Sequence, residues 1–248
     1  MASTRSLPKT SLRLLLGAAG IGLALVAAPM VTRAVAGAAA ETAGEAPRGL
    51  PASLTKSAAT DGKPQTVVFA GGCFWGVQGV FQHVNGVISA VSGYDGGAKS
   101  TAIYEVVGTG TTGHAESVQV TFDPKLISYE DLLRIFFSVA TDPTQLNQQF
   151  PDGGTQYRGV VFYNNPDQER VAKAYIAQLN AAKIFRKPIV TQVVANKGFY
   201  AAEDYHQDYL TLNPTAAYIA VSDMPKIAAL KKYFPAQYKQ KPVLVAAK

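Results

Sequence analysis

The chain has 248 residues and a mass of 26.2 kDa, with 48% hydrophobic and 16% charged residues, which fits one substantial domain with appendages and excludes a wholly disordered chain. A single cysteine excludes an intramolecular disulfide, a zinc ribbon and an iron–sulfur cluster held by this chain alone. The formal charge of +6 lies in the two ends, because residues 65–223 hold ten basic and fourteen acidic residues, so the charge does not indicate a nucleic-acid partner.

The N-terminal segment has the pattern of an export signal. Basic residues precede an apolar run over 14–31, and Ala34-Val35-Ala36 supplies the small residues at which a signal peptidase cuts. We predict a signal peptide over residues 1–36 and an exported protein in the bacterial periplasm. Because the uncharged stretch approaches the ~20 residues that span a bilayer, the alternative is an uncleaved inner-membrane anchor with the domain facing the periplasm.

Two further segments flank the predicted structured domain, which covers 65–223. Residues 37–64 are rich in alanine, glycine, proline, serine and threonine, a composition typical of a flexible linker. The C-terminal tail, 224–248, carries six lysines, three prolines and no acid. We interpret the tail as a solvated terminus, with contact to acidic lipid headgroups as the alternative.

Hydrophobic periodicity predicts alternating strands and helices within the domain. Strands are predicted over 66–70, 87–91, 117–122, 159–163 and 189–194, helices from Cys73 onward, over 128–139 and over 165–182, and a glycine-rich loop at 93–97. Asn165 and Gln168 are placed to cap the last of these helices. This mixed order, without a dinucleotide-type glycine fingerprint, predicts an α+β sandwich.

Cys73 follows a predicted buried strand and precedes a predicted helix. The N–H groups and the positive dipole end of a helix N-terminus favour a thiolate, which is the reactive form of cysteine. The alternative is a small buried hydrophobic residue, the usual role of a free cysteine. Glycines flank this position, and Phe74 with Trp75 offers an apolar wall for a methyl or thioether group, so we favour a nucleophile.

At residues 72–76 the sequence Gly-Cys-Phe-Trp-Gly resembles the peptide methionine sulfoxide reductases of the A type. Further motifs that resemble this family follow in order: G-Y-D-G-G at 93–97, G-H-A-E at 113–116, D-P-T-Q at 142–145, G-T-Q-Y-R at 154–158, E-D-Y-H-Q at 203–207 and N-P at 213–214. The resemblance implies a two-layer ferredoxin-like α/β sandwich with a mixed sheet and an irregular C-terminal extension. The resemblance also implies that residues 65–223 form the catalytic domain of a reductase.

The resemblance also implies an activity, the thiol-dependent reduction of the S epimer of methionine sulfoxide, free or in oxidised exported proteins. Cys73 would attack the sulfoxide sulfur as a thiolate and be left as a sulfenic acid. A buried acid with a raised pKa is the natural donor of a proton to the oxygen, and Glu116 occupies the family's position for it, although the strand pattern by itself also allows Glu116 to face solvent. The other family positions are Tyr104 and Tyr157, which hydrogen-bond that oxygen, Phe74 and Trp75, which enclose the methyl group, and Asp152, associated with substrate placement and regeneration.

One feature departs from the family pattern. Many members carry resolving cysteines soon after the Asn-Pro pair, whereas here Asn213-Pro214 is followed by residues 215–218 and no later cysteine occurs. We do not assign the family's C-terminal aromatic position to Tyr218. The sequence therefore predicts a one-cysteine enzyme, monomeric, without metal or bound cofactor, whose sulfenic acid is reduced by an external thiol such as a thioredoxin-like protein, a glutaredoxin-like protein or a small thiol.

Two readings from other classes stay open at this point. A cysteine hydrolase or transferase would pair Cys73 with His114 or His206, although single histidines are more often structural hydrogen-bonding groups. A non-catalytic binding module would use the aromatic wall to hold methionine-like side chains without reducing them.

Overall fold

The computed structural model describes residues 44–245. The predicted export signal, residues 1–36, lies outside the described residues and stays a prediction. Within 44–245, no helix is both long enough and apolar enough to cross a membrane.

A six-stranded sheet runs through the domain. Its strands are β1 (Gln65–Ala70), β2 (Val87–Asp95), β3 (Ala115–Phe122), β6 (Val160–Tyr163), β7 (Gln192–Ala195) and β8 (Tyr200–Ala201), and the two-residue strands β4 (Gln148–Gln149) and β5 (Asp152–Gly153) form a separate hairpin. The spatial order is β7-β6-β1-β3-β2-β8. Neighbouring strands are antiparallel, except that β6 and β7 are parallel, so the sheet is mixed.

Six α-helices lie within residues 44–245. They are α1 (Phe74–Gln82), α2 (Tyr104–Val107), α3 (Tyr129–Ile135), α4 (Pro166–Ala181), α5 (Tyr209–Leu212) and α6 (Met224–Tyr233). Two π-helical turns, Phe136–Ala140 and Ile219–Asp223, extend α3 and precede α6. The order β1-α1-β2-β3-α3-β6, with the central strands arranged β6-β1-β3-β2, is the ferredoxin-like unit, which confirms the predicted fold.

Side-chain caps fix where the longer helices begin. Helix α3 begins after Ser128, whose Oγ accepts a hydrogen bond from the Asp131 N–H at 3.1 Å. Helix α4 begins after Asn165, whose Oδ1 accepts from the Gln168 N–H at 2.9 Å. Gln168 Oε1 accepts from the Asn164 N–H at 2.8 Å, one residue further back than a capping box requires. The predicted cap by Asn165 is confirmed, whereas the capping box predicted with Gln168 is not formed at the N-cap residue.

The core lies between the helices and one face of the sheet. Successive side chains of a strand point to opposite faces, and in β1 Val67 and Phe69 join the main core while Val68 and Ala70 join a smaller cluster on the other face. Helix α1 buries its apolar side chains against this core, so its N-terminus is held at the end of β1.

The prediction of a loop over 93–97 is wrong for residues 93–95, which belong to strand β2. Strand β2 continues to Asp95 because it pairs with β3 along its length, with Tyr94 opposite Glu116. Gly93 pairs with Ala201, and a Cβ at Gly93 would lie 2.3 Å from the Tyr200 carbonyl oxygen. Glycine is read as a loop signal, but here it allows β8 to approach closely.

Residues 44–58 differ from the predicted flexible linker because they pack on the domain. Leu50 is 1% exposed and belongs to the main core. Its carbonyl oxygen accepts a hydrogen bond from Arg134 Nε at 2.6 Å, and that of Pro51 accepts from the Tyr175 hydroxyl at 2.7 Å. The polar composition gave no sign of this because a few anchoring contacts hold the segment.

The segment 224–248 also differs from the predicted solvated tail in its first part. Leu230 on helix α6 and Phe234 at its C-cap, which are 0% and 3% exposed, belong to the main core. Its lysines Lys231 and Lys232 stay exposed on the other side. An amphipathic helix therefore continues the domain beyond residue 223.

Candidate active site

Cys73 lies in the turn between β1 and α1. Gly72 adopts φ +96°, a backbone conformation that L side chains rarely adopt, and a Cβ there would lie 2.5 Å from the Cβ of Gln149. Cys73 is the N-cap residue of α1, and Phe74 is its first helical residue. The predicted strand–turn–helix setting of the cysteine is confirmed.

The residues singled out from the sequence meet at one cavity of about 170 Å³. Its lining consists of the seven predicted site residues and one more: Cys73, Phe74, Trp75, Tyr104, Glu116, Asp152, Tyr157 and Tyr218. Pockets for drug-sized ligands measure roughly 300–1,000 Å³, so this cavity fits the end of one side chain rather than a large molecule.

Glu116 projects from β3 and is 4% exposed. The Phe74 N–H donates a hydrogen bond to its Oε2 at 3.0 Å. Burial raises the pKa of Glu116 to about 8; this hydrogen bond lowers it, and the charges of Asp152 and Asp223 raise it. The carboxyl is therefore largely protonated at neutral pH, as a proton donor must be.

The Cys73 sulfur does not rest as a thiolate, which corrects the expectation from the helix N-terminus. Burial raises the pKa of the Cys73 thiol well above its usual range, and the charges of Glu116 and Asp223 raise it further. A hydrogen bond from the Trp75 backbone and the charge of Lys226 act in the opposite direction. Burial and the two acids outweigh the first helical turn, so the free protein holds a neutral thiol.

The two predicted tyrosines reach the cavity from separate segments. Tyr104 is the first residue of α2, and Tyr157 closes the 3₁₀ turn Thr155–Tyr157. Burial and the charge of Glu116 raise the pKa of both hydroxyls. Both stay protonated and can donate hydrogen bonds to an oxygen in the cavity.

Asp152 lies on β5, and its Oδ2 accepts a hydrogen bond from the Tyr218 hydroxyl. The ring of Tyr218 stands edge-on to Trp75, with centroids 6.1 Å apart. Tyr218 therefore links the hairpin to the aromatic wall. It was left unassigned from the sequence because no cysteine follows it to mark the family position.

Phe74 and Trp75, which form the aromatic wall of the cavity, pack against residues outside the cavity. The Trp75 ring stacks on Tyr209 with centroids 3.9 Å apart, and its Nε1–H donates to His206 Nδ1 at 3.2 Å. Phe74 contacts His206 from the other side, with centroids 5.1 Å apart. These contacts fix the orientation of both rings that line the cavity.

The sequence model of the family described as peptide methionine sulfoxide reductase matches residues 65–238, well over half of the chain. The chain belongs to this family. It is 61% identical over 181 residues to a peptide methionine sulfoxide reductase MsrA 2 of Mesorhizobium japonicum, covering 73% of this chain and 93% of that protein. A second MsrA 2, of Synechocystis, is 47% identical over 170 residues and covers 68% of this chain and 79% of its own.

Solved structures of this reductase family are similar as well. The reduced form of Mxr1 from Saccharomyces cerevisiae has a TM-score of 0.56 and 31% identity, covering 64% of this chain and 91% of that chain. Methionine sulfoxide reductase A of Corynebacterium diphtheriae has a TM-score of 0.54 and 30% identity, covering 70% and 88%. The chain is therefore an oxidoreductase that reduces methionine sulfoxide.

His114 and His206 have structural roles in this reductase, which argues against the hydrolase or transferase interpretation. His114 Nδ1 accepts from the Gly97 N–H at 3.2 Å, and its Nε2 lies 3.0 Å from the Ala98 carbonyl oxygen. His206 supports Trp75, and neither histidine is among the residues that line the cavity. Within residues 44–245, no cluster of histidine, cysteine, aspartate and glutamate side chains is arranged to hold a metal ion.

Two charged residues near the reductase site were missed by the sequence reasoning. Asp223 is 0% exposed and Lys226 pairs with it, and both act on the pKa of Cys73. They lie 150 and more residues from Cys73 in the chain, Asp223 as the last residue of the predicted domain and Lys226 in the predicted lysine-rich tail. Only the packing of α6 against α1 reveals them.

Proposed function

We propose that the chain reduces the S epimer of methionine sulfoxide with Cys73 as nucleophile and Glu116 as proton donor. The observation that supports this most directly is the 170 Å³ cavity, in which the only cysteine of the chain meets a buried acid with a raised pKa. Its aromatic lining suits the methyl group, and Tyr104 and Tyr157 can donate to the sulfoxide oxygen.

In the first step the S–O bond of the substrate breaks and a Cys73 S–O bond forms. Glu116 gives its proton to the sulfoxide oxygen as the Cys73 sulfur attacks the substrate sulfur, and the proton of the thiol replaces the one that Glu116 has given. Methionine leaves and Cys73 becomes a sulfenic acid, so cysteine is oxidised by two electrons and methionine is reduced by two. This relay explains why a neutral thiol and a protonated acid rest together in one cavity.

The second step uses an external thiol. Cys73 is the only cysteine, so no resolving cysteine of this chain can attack the sulfenic acid. An outside thiol attacks it, water leaves, and a mixed disulfide forms; a second outside thiol then releases the Cys73 thiol and a disulfide. We propose a thioredoxin-like or glutaredoxin-like protein or a small thiol in this role, with Asp152 positioning the substrate and assisting regeneration.

Incubation of each sulfoxide epimer with the purified protein and dithiothreitol tests the activity. Methionine should form from the S epimer alone. Conversion of the R epimer, or of neither epimer, would contradict the proposal. Binding of the S epimer without conversion would instead identify a methionine-binding module.

We further propose that residues 1–36 direct export, so that the reductase repairs oxidised proteins in the bacterial periplasm as a monomer. The support is the sequence pattern of basic residues, apolar run and small residues before residue 37. Fractionation of cells that express the full chain should give periplasmic protein that begins near residue 37. Full-length protein in the membrane fraction would instead support the anchored alternative.

A further inference from the structure

A buried ion pair lies against the first turn of the helix that carries Cys73. Lys226 Nζ donates to Asp223 Oδ1 at 3.0 Å, and the two side chains are 20% and 0% exposed. The second oxygen of Asp223 has no hydrogen-bond partner within residues 44–245. Removing a carboxylate from water is costly, and here a single cation offsets that cost, so this pair is weak evidence for stability.

The contact with α1 is close. A Cβ at Gly76 would lie 2.1 Å from Asp223 Oδ1 and 2.8 Å from Lys226 Nζ. Both charged groups therefore pack on the backbone of Gly76, three residues after Cys73, and only glycine leaves them room. The pair therefore contacts the helix that follows Cys73, and neither residue is among those that line the cavity.

We propose that Asp223 and Lys226 are positioning residues of the reaction, which set the charge that the Cys73 sulfur experiences and hold the segment with Tyr218 against α1. This inference rests on the proposed role of Cys73. Lys226 favours the thiolate that attacks, and Asp223 opposes it and orients the ammonium group. The helix α6 thus contributes to the reactivity of a cysteine that lies about 150 residues earlier.

Several other groups surround the sulfur, and they do not replace this pair. The titratable and charged groups facing Cys73 are Glu116 on β3, Asp152 on β5, Tyr104, Tyr157, Tyr218, Asp223 and Lys226. Lys226 is the cation of this set. Its charge lowers the pKa of Cys73, whereas those of Glu116 and Asp223 raise it.

The single cysteine makes a direct test possible, because iodoacetamide alkylation of the full chain reports on Cys73 alone. The rate is measured against pH for Lys226→Met, Asp223→Asn and the double variant. Lys226→Met should raise the midpoint of the alkylation rate–pH profile by about one pH unit, and Asp223→Asn should lower this midpoint by a similar amount. At a pH below the midpoint, one unit corresponds to about a tenfold change in rate. The double variant should lie between the two.

The opposite signs separate an electrostatic role from a structural one. If the ion pair were merely structural, its loss would shift the alkylation midpoint of all three variants in the same direction. That result would overturn the proposal. Lys231→Met, on the exposed side of the same helix, removes an equal charge and should leave the midpoint where it is; a shift as large as that of Lys226→Met would also refute the inference. Because alkylation requires no sulfoxide, the outcome is independent of the proposed reductase function, which kcat/KM tests separately.

Discussion

At the scale of single residues, environment rather than residue type gives Glu116 its chemistry. An exposed glutamate is ionised at neutral pH and cannot donate a proton. Burial between β3 and the first turn of α1 raises the pKa of Glu116 to about 8, so the acid form prevails. The Phe74 N–H that contacts this carboxyl comes from the residue next to the nucleophile, which ties donor and nucleophile to one turn.

Replacement Glu116→Gln should lower kcat/KM by roughly 10²–10⁴-fold, the usual contribution of a general acid. The wild-type rate should fall as pH rises through about 8, where Glu116 loses its proton, and the variant should lack this alkaline limb. Rates of methionine formation between pH 6 and pH 9.5 measure both effects. Glu130→Gln, which neutralises another buried acid away from the cavity, is the matched control and should keep the limb.

Stability should respond to pH through the same group. Between pH 4.5 and about 8 the folded protein holds a proton on Glu116 that the unfolded chain does not. The contribution of this proton to the free energy of unfolding is therefore complete below pH 4.5 and is lost as pH rises through about 8. The free energy of unfolding, measured by denaturant titration, should therefore fall less over this pH range for Glu116→Gln than for the wild type. An equal decline in both would count against a raised pKa.

The hydroxyl of Tyr218 supplies another residue-scale prediction. Tyr218→Phe removes the hydrogen bond to Asp152 Oδ2 while leaving the ring beside Trp75. A hydrogen bond of this kind contributes roughly 0.5–1.5 kcal/mol, and because this one holds Asp152 at the cavity, kcat/KM should fall by up to about tenfold. Tyr163→Phe, at the end of β6, removes a hydroxyl outside the cavity and should not change the rate. An unchanged rate for Tyr218→Phe would mean that this contact has no part in the reaction.

At the scale of elements, short irregular segments connect the regular fold to the site. The ferredoxin-like unit supplies β1, α1 and β3, which carry Cys73 and Glu116. The hairpin β4–β5 supplies Asp152, and the turns near the C-terminus supply Tyr218 and Asp223. The segments at both ends of the domain pack on the same core through Leu50 and Leu230.

The N-terminal segment should contribute to folding stability through one anchor. Leu50→Ala should cost about 2–5 kcal/mol because Leu50 is 1% exposed in the core. Leu54→Ala changes the same residue type in the same segment, but Leu54 is 84% exposed, so the change should stay within about 0.5 kcal/mol. Urea unfolding of both variants measures the difference. Equal midpoints would show that the segment behaves as the flexible linker predicted from composition.

At the scale of the whole molecule, the count of cysteines determines the stoichiometry. Without a reductant, the protein should form about one methionine per chain and then stop, because its only cysteine is then a sulfenic acid. Single-turnover assays with mass spectrometry of the intact chain measure this burst and a gain of one oxygen at Cys73. Several turnovers without added thiol would contradict a reaction cycle that relies on Cys73 and an external thiol.

The sequence by itself determined the family and the ferredoxin-like class, and it pointed to seven residues that line one cavity, because local motifs such as the segment around Cys73 carry both the turn and the chemistry. The continuation of β2 through Gly93, the docking of Leu50 and the burial of α6 required the tertiary structure. Each depends on a partner surface distant in the chain, which composition and periodicity do not report. The same holds for electrostatics: burial makes the Cys73 thiol neutral and Glu116 acidic, and α6 brings Asp223 and Lys226 to the sulfur.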